Sequence, residues 1–236
     1  MQEITAIHGV HEQMEGSTKV LTLGSGPRNL LNRDVISQLH IQLVEAAASP
    51  EVLAVLLTGD GDVFCGGLDI AAIQAGADPM ELGQELVRLL RLMPTLGVPI
   101  AAAVNGDALA SGASLVAACD YAVAADTARI GTMEVSLGVW PMIAQVPIIH
   151  RIGARAAMEN VGSGEPFSAE RSVEVGLVQK VVRPGAEITA AHEWLNDASR
   201  APRVMADGRR SLYELSSMSY TDALDASLEL FAAQFA

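Results

Sequence analysis

The chain has 236 residues, enough for one domain with a full hydrophobic core. Half of its residues are hydrophobic but only 4% are aromatic, so that core has to be built from Ala, Val, Leu and Ile. A formal net charge of −13 argues against nucleic acid or an anionic membrane surface as a general partner, and no apolar run reaches the length of a membrane span.

At the N-terminus, MQEITAIHGVHEQ lacks a basic stretch followed by an apolar core, so no secretory signal is expected. Ile4–Val10 and Lys19–Leu23 predict a hairpin around a turn at Met14–Ser17. Asn32 is a candidate N-cap for a helix that places Val35, Ile36, Leu39 and Leu43 on one face and runs to Ala48. Leu53–Thr58 reads as a buried strand closed by GDGD, Pro79–Met93 as a helix, and Pro99–Val104 as a second buried strand. Gly112–Cys119 is apolar all round, the pattern of a helix inside the protein. Two strands follow at Tyr121–Ala125 and Ala128–Gly131. From Pro141 the pattern turns helical, with one strand at Val178–Val182 and helices near Ala186–Ser199, Val204–Leu215 and Tyr220–Phe235. Alternating strands and helices imply an α/β fold with a layered sheet, and no repeat or linker divides it. Cys65, Cys119 and the five histidines form no metal spacing, so a reduced, cytoplasmic protein without a metal is expected.

Two segments stand out chemically. Phe64–Ile70 (FCGGLDI) and Ala103–Leu115 (AVNGDALASGASL) each break from a strand-like run into glycines and small residues, then enter a helix-like run. Such exits expose backbone N–H groups at a helix start, and two of them brought together make an anion site. If that anion is the enolate of a thioester, the pair is an oxyanion hole. Any phosphate on the ligand must be held locally, and Arg28 and Arg33 are the best-placed cations in an acidic chain.

These motifs resemble the crotonase superfamily, the enoyl-CoA hydratases, enoyl-CoA isomerases and their relatives. LTGDGDVFCGGLDI, PIAAAVNGDALASGASLVAACDYAVAAD, ARIGTMEVSLGVWP and RIGARAAMENVGSGEPFSAERSVEVGLVQKVV match the family's patterns in order, over Leu21 to Val182. The resemblance implies a ββα spiral of two nearly perpendicular sheets flanked by helices. Residues 1–182 would form that core, and 183–236 a C-terminal helical trimerisation region of the same domain. It also implies homotrimers or hexamers, an acyl-CoA substrate, and no cofactor beyond the coenzyme A that the substrate carries. Carried over residue by residue, the oxyanion hole falls on the N–H groups of Leu68 and Ser111. Coenzyme A contacts fall on Arg28, Asn29, Leu30, Cys65 and Gly66, and Trp140 lines the acyl pocket or packs under it. Asp69 reads as a helix cap, Asp120 as a structural carboxylate at a strand entrance, and Cys65 as a small buried hydrophobe.

The family's hydratases use two glutamates. Here Glu134 fills the second position, but Ser114 stands at the first. A hydroxyl has no accessible pKa near neutrality and cannot replace a carboxylate base, although it can hold a water. Moving a double bond between carbons needs one base that takes a proton and returns it. That favours isomerase-type chemistry with Glu134 as the single acid/base. The alternatives are a hydratase using Glu134 and a water on Ser114, a non-catalytic acyl-CoA-binding protein, and a serine hydrolase built on Ser111. The family also usually continues past LELFAAQFA with another loop and helix.

Overall fold

The computed structural model describes residues 8–76 and 78–235. β1 (His8–Glu15) and β2 (Thr18–Ser25) form an antiparallel hairpin with Glu15 opposite Thr18, so the turn is Gly16-Ser17. The expected hairpin is present, but Met14 and Glu15 belong to its first strand, because Gly16 supplies the left-handed conformation (φ +62°) that a two-residue turn needs. Residues 4–7 of the predicted strand lie outside the described residues. α1 (Arg33–Ala48) begins where the sequence placed it: Asn32 Oδ1 accepts a hydrogen bond from Val35 N at 2.9 Å, and Val35, Ile36, Leu39 and Leu43 are buried.

After α1 the chain repeats one unit of two strands and a helix. β3 (Ala54–Gly59) and β4 (Val63–Cys65) lead into α2 (Ile70–Gln74) and α3 (Pro79–Leu92). β5 (Ile100–Val104) and β6 (Asp107–Leu109) lead into α4 (Ser111–Ala118). β7 (Tyr121–Ala125) and β8 (Arg129–Gly131) lead, through a 3₁₀ turn at Glu134–Leu137, into α5 (Gln145–Ser163). β9 (Phe167–Ser168), α6 (Ala169–Glu174), β10 (Lys180–Val182), α7 (Glu187–Ala198), α8 (Pro202–Ser216) and α9 (Tyr220–Ala233) complete the chain.

The first strand of each unit joins a six-stranded sheet, order β1-β2-β3-β5-β7-β10, and the second joins a four-stranded sheet, order β4-β6-β8-β9. The chain thus winds between two sheets, which is the ββα spiral with flanking and C-terminal helices. The larger sheet is parallel from β2 onward. Its central strands are apolar on both faces, as parallel strands covered by helices must be. Alternation sends Val55, Leu57, Ile100, Ala102 and Val104 into one core cluster, and Leu56, Ala101, Ala103 and Val123 into another. α7 closes the second cluster with Ala190, Ala191 and Leu195, and Trp194 stacks on Tyr121 at 4.8 Å. The first helix of the region 183–236 is therefore part of the sheet's own packing. Residues 111–117 of α4 are buried on every side, as the apolar run predicts.

Candidate active site

β4, β6 and β8 lie side by side and parallel, with Cys65 opposite Ala108 and Leu109 opposite Gly131. Their carboxyl ends deliver three segments to one edge: Gly66–Leu68, Ala110–Ser111 and Thr132–Glu134. Ala110 N donates to Gly131 O at 2.9 Å and ties the second segment to the third.

Two glycines let the first and second segments touch. At Gly67 (φ +93°) a Cβ would lie 2.7 Å from the Ala110 Cβ and 3.4 Å from Ser111 N. At Gly112 a Cβ would collide with the Cys65 carbonyl. The amides that result are open. Leu31 N donates to Gly67 O and Asp69 N donates to Leu31 O, which leaves the N–H of Leu68 between them without a protein partner among the described residues. Ser111 is the first residue of α4, and its N–H is likewise without a partner there. A helix start adds partial positive charge at the same point. The turn into α4 is strained: Ala110 sits at φ +53°, ψ −122°, a conformation that L-residues avoid.

Glu134 opens the 3₁₀ turn and is partly exposed. Its Oε2 accepts from Met133 N at 2.9 Å, and no cation pairs with it among the described residues. The loop before it is clamped by Asn160 on α5, a fully buried side chain. Asn160 Oδ1 accepts from Thr132 N at 2.7 Å, and its Nδ2 donates to Thr132 O at 2.8 Å. The sequence reading missed Asn160 and the strain at Ala110. The one signal for Asn160 was an amide in the middle of a helix, where it is unfavourable unless it bonds elsewhere.

Ser114 is fully buried, and its hydroxyl donates to Ala144 O at 2.9 Å. Its only hydrogen is thus committed to joining α4 to the start of α5, in a position closed to solvent. Asp69 caps α2 by accepting from Ala72 N, as expected. Asp120 accepts from Ile100 N, from Arg209 Nε at 2.8 Å and from the Tyr213 hydroxyl at 2.6 Å, a structural carboxylate at the entrance of β5.

The segments expected to meet coenzyme A are together. Gly66 N donates to Arg28 O at 2.8 Å, and a Cβ on Gly66 would lie 3.1 Å from the Leu30 side chain. Arg28 is exposed, whereas Arg33 pairs with Glu81 at 3.1 Å. Asn29 is buried, and its Nδ2 donates to the carbonyls of Asp60 and Val63, so its side chain is a staple between two loops and any contact with coenzyme A falls to its backbone. Cys65 is buried, and burial pushes its thiol up to about 12, so it stays protonated and unreactive. Trp140 is 42% exposed and donates from Nε1 to Gln145 Oε1 at 2.9 Å, so the indole lies at the surface of the protomer.

Comparison with known proteins accords with this geometry. The family described as enoyl-CoA hydratase/isomerase matches residues 14–236. The chain is 30% identical over 231 residues to enoyl-CoA hydratase domain-containing protein 3, mitochondrial, of Xenopus laevis, covering 96% of this chain and 79% of that protein. It is 32% identical over 205 residues to the short-chain-enoyl-CoA hydratase of Clostridium acetobutylicum, covering 83% and 77% of the two chains. Among solved structures, an enoyl-CoA hydratase from Polaromonas sp. superposes with a TM-score of 0.88 at 30% identity, over 96% of this chain and 91% of that one. One from Mycobacterium smegmatis gives 0.89 at 26%, over 95% and 90%. With two open amides and a carboxylate at the ends of three parallel strands and a family match over residues 14–236, the chain belongs to the enoyl-CoA hydratase/isomerase family.

Proposed function

We propose that the protein binds an acyl-CoA thioester with its carbonyl oxygen against the N–H groups of Leu68 and Ser111, and that Glu134 moves a proton between two carbons of the acyl chain. The reading rests on the two partnerless amides on touching loops beside a carboxylate with no cation partner among the described residues. When the α-proton leaves, charge builds on the thioester oxygen. Two fixed donors stabilise it there more than in the ground state, and losing one such donor typically costs ~3–4 kcal/mol. Glu134 takes the proton at one carbon and returns it at another, so a double bond shifts without addition of water.

The environment of Ser114 supports isomerisation over hydration in this reading. Hydration asks for a second group that orients and deprotonates water, and Ser114 has its hydrogen committed to Ala144 O. The second reading is hydration, favoured by the relatives that carry hydratase names. Coenzyme A would run past Arg28, Leu30, Cys65 and Gly66, with Arg28 as the exposed cation for phosphate. The expected homotrimer or hexamer draws support from α9, whose apolar side chains are exposed.

The test is a pair of assays on the purified chain, one with a 3-enoyl-CoA and one with crotonyl-CoA. Double-bond migration should be the faster reaction. Glu134→Gln should lower kcat by about a hundred- to ten-thousandfold, the range for a single general acid/base, with KM little changed. Rapid hydration without migration would overturn the reading in favour of a hydratase.

A further inference from the structure

Away from the two loops, α3, the first half of α5 and the second half of α8 line an open cavity of about 1050 Å³. Neither Leu68, Ser111 nor Glu134 lines it. Ala117 and Ala118, at the far end of α4 from Ser111, line it. Its apolar floor includes Val87, Leu90, Val146 and Pro147, and its volume is that of a small-molecule site.

The charge of its walls runs against the rest of the chain. The protein has 28 acidic and 15 basic side chains, yet Arg91, Arg151, Arg210 and His150 face this cavity against one carboxylate, Glu214. Nor is that positive charge neutralised locally. Arg91, Arg151 and Arg210 form no ion pair among the described residues. Arg151 donates from Nε to Ala117 O and from Nη2 to Cys119 O, carbonyls at the end of α4, so its orientation is fixed while no carboxylate pairs with it among the described residues. The nearby carboxylate of Asp120 is already engaged by Arg209 and by the Tyr213 hydroxyl. Apolar walls beside a fixed guanidinium and two exposed ones suit a ligand with an anionic head and a hydrocarbon body. Guanidinium forks match the planar oxygens of carboxylate or phosphate.

We propose that this cavity is a second binding site, separate from the thioester site, for an amphipathic anion: a medium-length hydrocarbon chain ending in a carboxylate or phosphate. The head group sits among Arg91, Arg151 and Arg210, and the chain lies along Val87, Leu90 and Val146.

The experiment is calorimetric titration of the full chain with decanoate and with decyl phosphate, and with decyltrimethylammonium as the cationic control. Saturable binding of the anions but not of the cation is expected, with binding by either anion telling which head group is preferred. The double variant Arg91→Glu/Arg210→Glu should weaken anion binding at least tenfold, because both side chains are exposed and can be reversed without disturbing the core. A circular-dichroism melt checks that this variant is folded. Glu134→Gln should leave anion affinity unchanged, and a saturating acyl-CoA should not displace the anion. Equal binding of the cation, an unchanged affinity in the folded double variant, or no saturable binding would each overturn the proposal. Full displacement by the acyl-CoA would also overturn it, by making this the distal part of the thioester site.

Discussion

Ala110 is where a single side chain carries the most tension. Its φ of +53° turns the end of β6 into α4 and leaves the Ser111 N–H at the helix start. Holding an L-residue there costs on the order of 1–3 kcal/mol, and glycine would adopt the same angles freely. Part of that gain is offset by the greater freedom of glycine in the unfolded chain. Ala110→Gly should therefore raise stability by about 1 kcal/mol in a denaturant titration while preserving turnover. Ser114 allows a complementary measurement. Ser114→Ala leaves the buried Ala144 carbonyl without its donor and should cost about 1–3 kcal/mol. It should not change the rate of double-bond migration, whereas a hydratase relying on a serine-held water would lose activity. The sequence allowed this residue two roles, and its buried contact with Ala144 is not written in any local pattern. Asn29 is similar. Its place in GPRNLLNR suggested a backbone contact to a ligand and said nothing of its side chain, which is consumed by carbonyls thirty-one and thirty-four residues away, a pairing no local pattern encodes.

At the level of elements, the long ones were legible, and of the short strands β8 and β10 were, expected at Ala128–Gly131 and Val178–Val182. α1 carries its cap and its apolar stripe in the sequence, and Tyr121–Ala125 appears as the strand expected. The smaller sheet was harder to read. β4 and β6 have three residues each and β9 two, too few for alternation to register, yet β4 and β6 end in the site. The loops beyond β4 and β6 were found through their glycines, because close approach leaves a compositional mark where a three-residue strand does not. The docking of α8 was not visible either. It depends on Arg209, nearly fully buried, which donates to Asp120 and to the carbonyls of Met93, Pro94 and Leu96. Tyr213 on the same helix donates to Asp120, and burial, then the Asp120 charge, raises its pKa above the ordinary 10.0. A raised pKa means that the folded state holds the phenolic proton more tightly than the unfolded one. The associated stability is complete below about pH 10 and is lost as pH rises from there through the folded value. Melting temperature measured from pH 8 to 11 should fall more steeply at the alkaline end for the wild type than for Tyr213→Phe, which should itself be destabilised by about 1 kcal/mol at neutral pH.

For the molecule as a whole, the C-terminal helices divide into two kinds. α7 is sealed against the larger sheet, and α8 is fastened by the Arg209 network, but α9 has no buried residue. Leu224, Leu228, Phe231 and Phe235 recur at spacings of four, three and four, so they form one stripe, and each is at least half exposed. A helix this apolar gains nothing from lying in water, and its stripe is the kind of surface that another chain covers. Its charged residues are all acidic (Asp222, Asp225 and Glu229), which limits where a neighbour can receive it. If a second copy covers the stripe, the assembly should depend on it directly. The full chain should then run as a multiple of 24.7 kDa in light scattering coupled to size exclusion. Leu228→Glu with Phe231→Glu should return the mass to that of one chain. Because α9 contributes no buried side chain to its own protomer, the far-ultraviolet spectrum should be retained. A single-chain mass for the wild type would instead leave the stripe uncovered and remove the homotrimer from the proposed function, while the amides of Leu68 and Ser111, which come from one protomer, would keep their role.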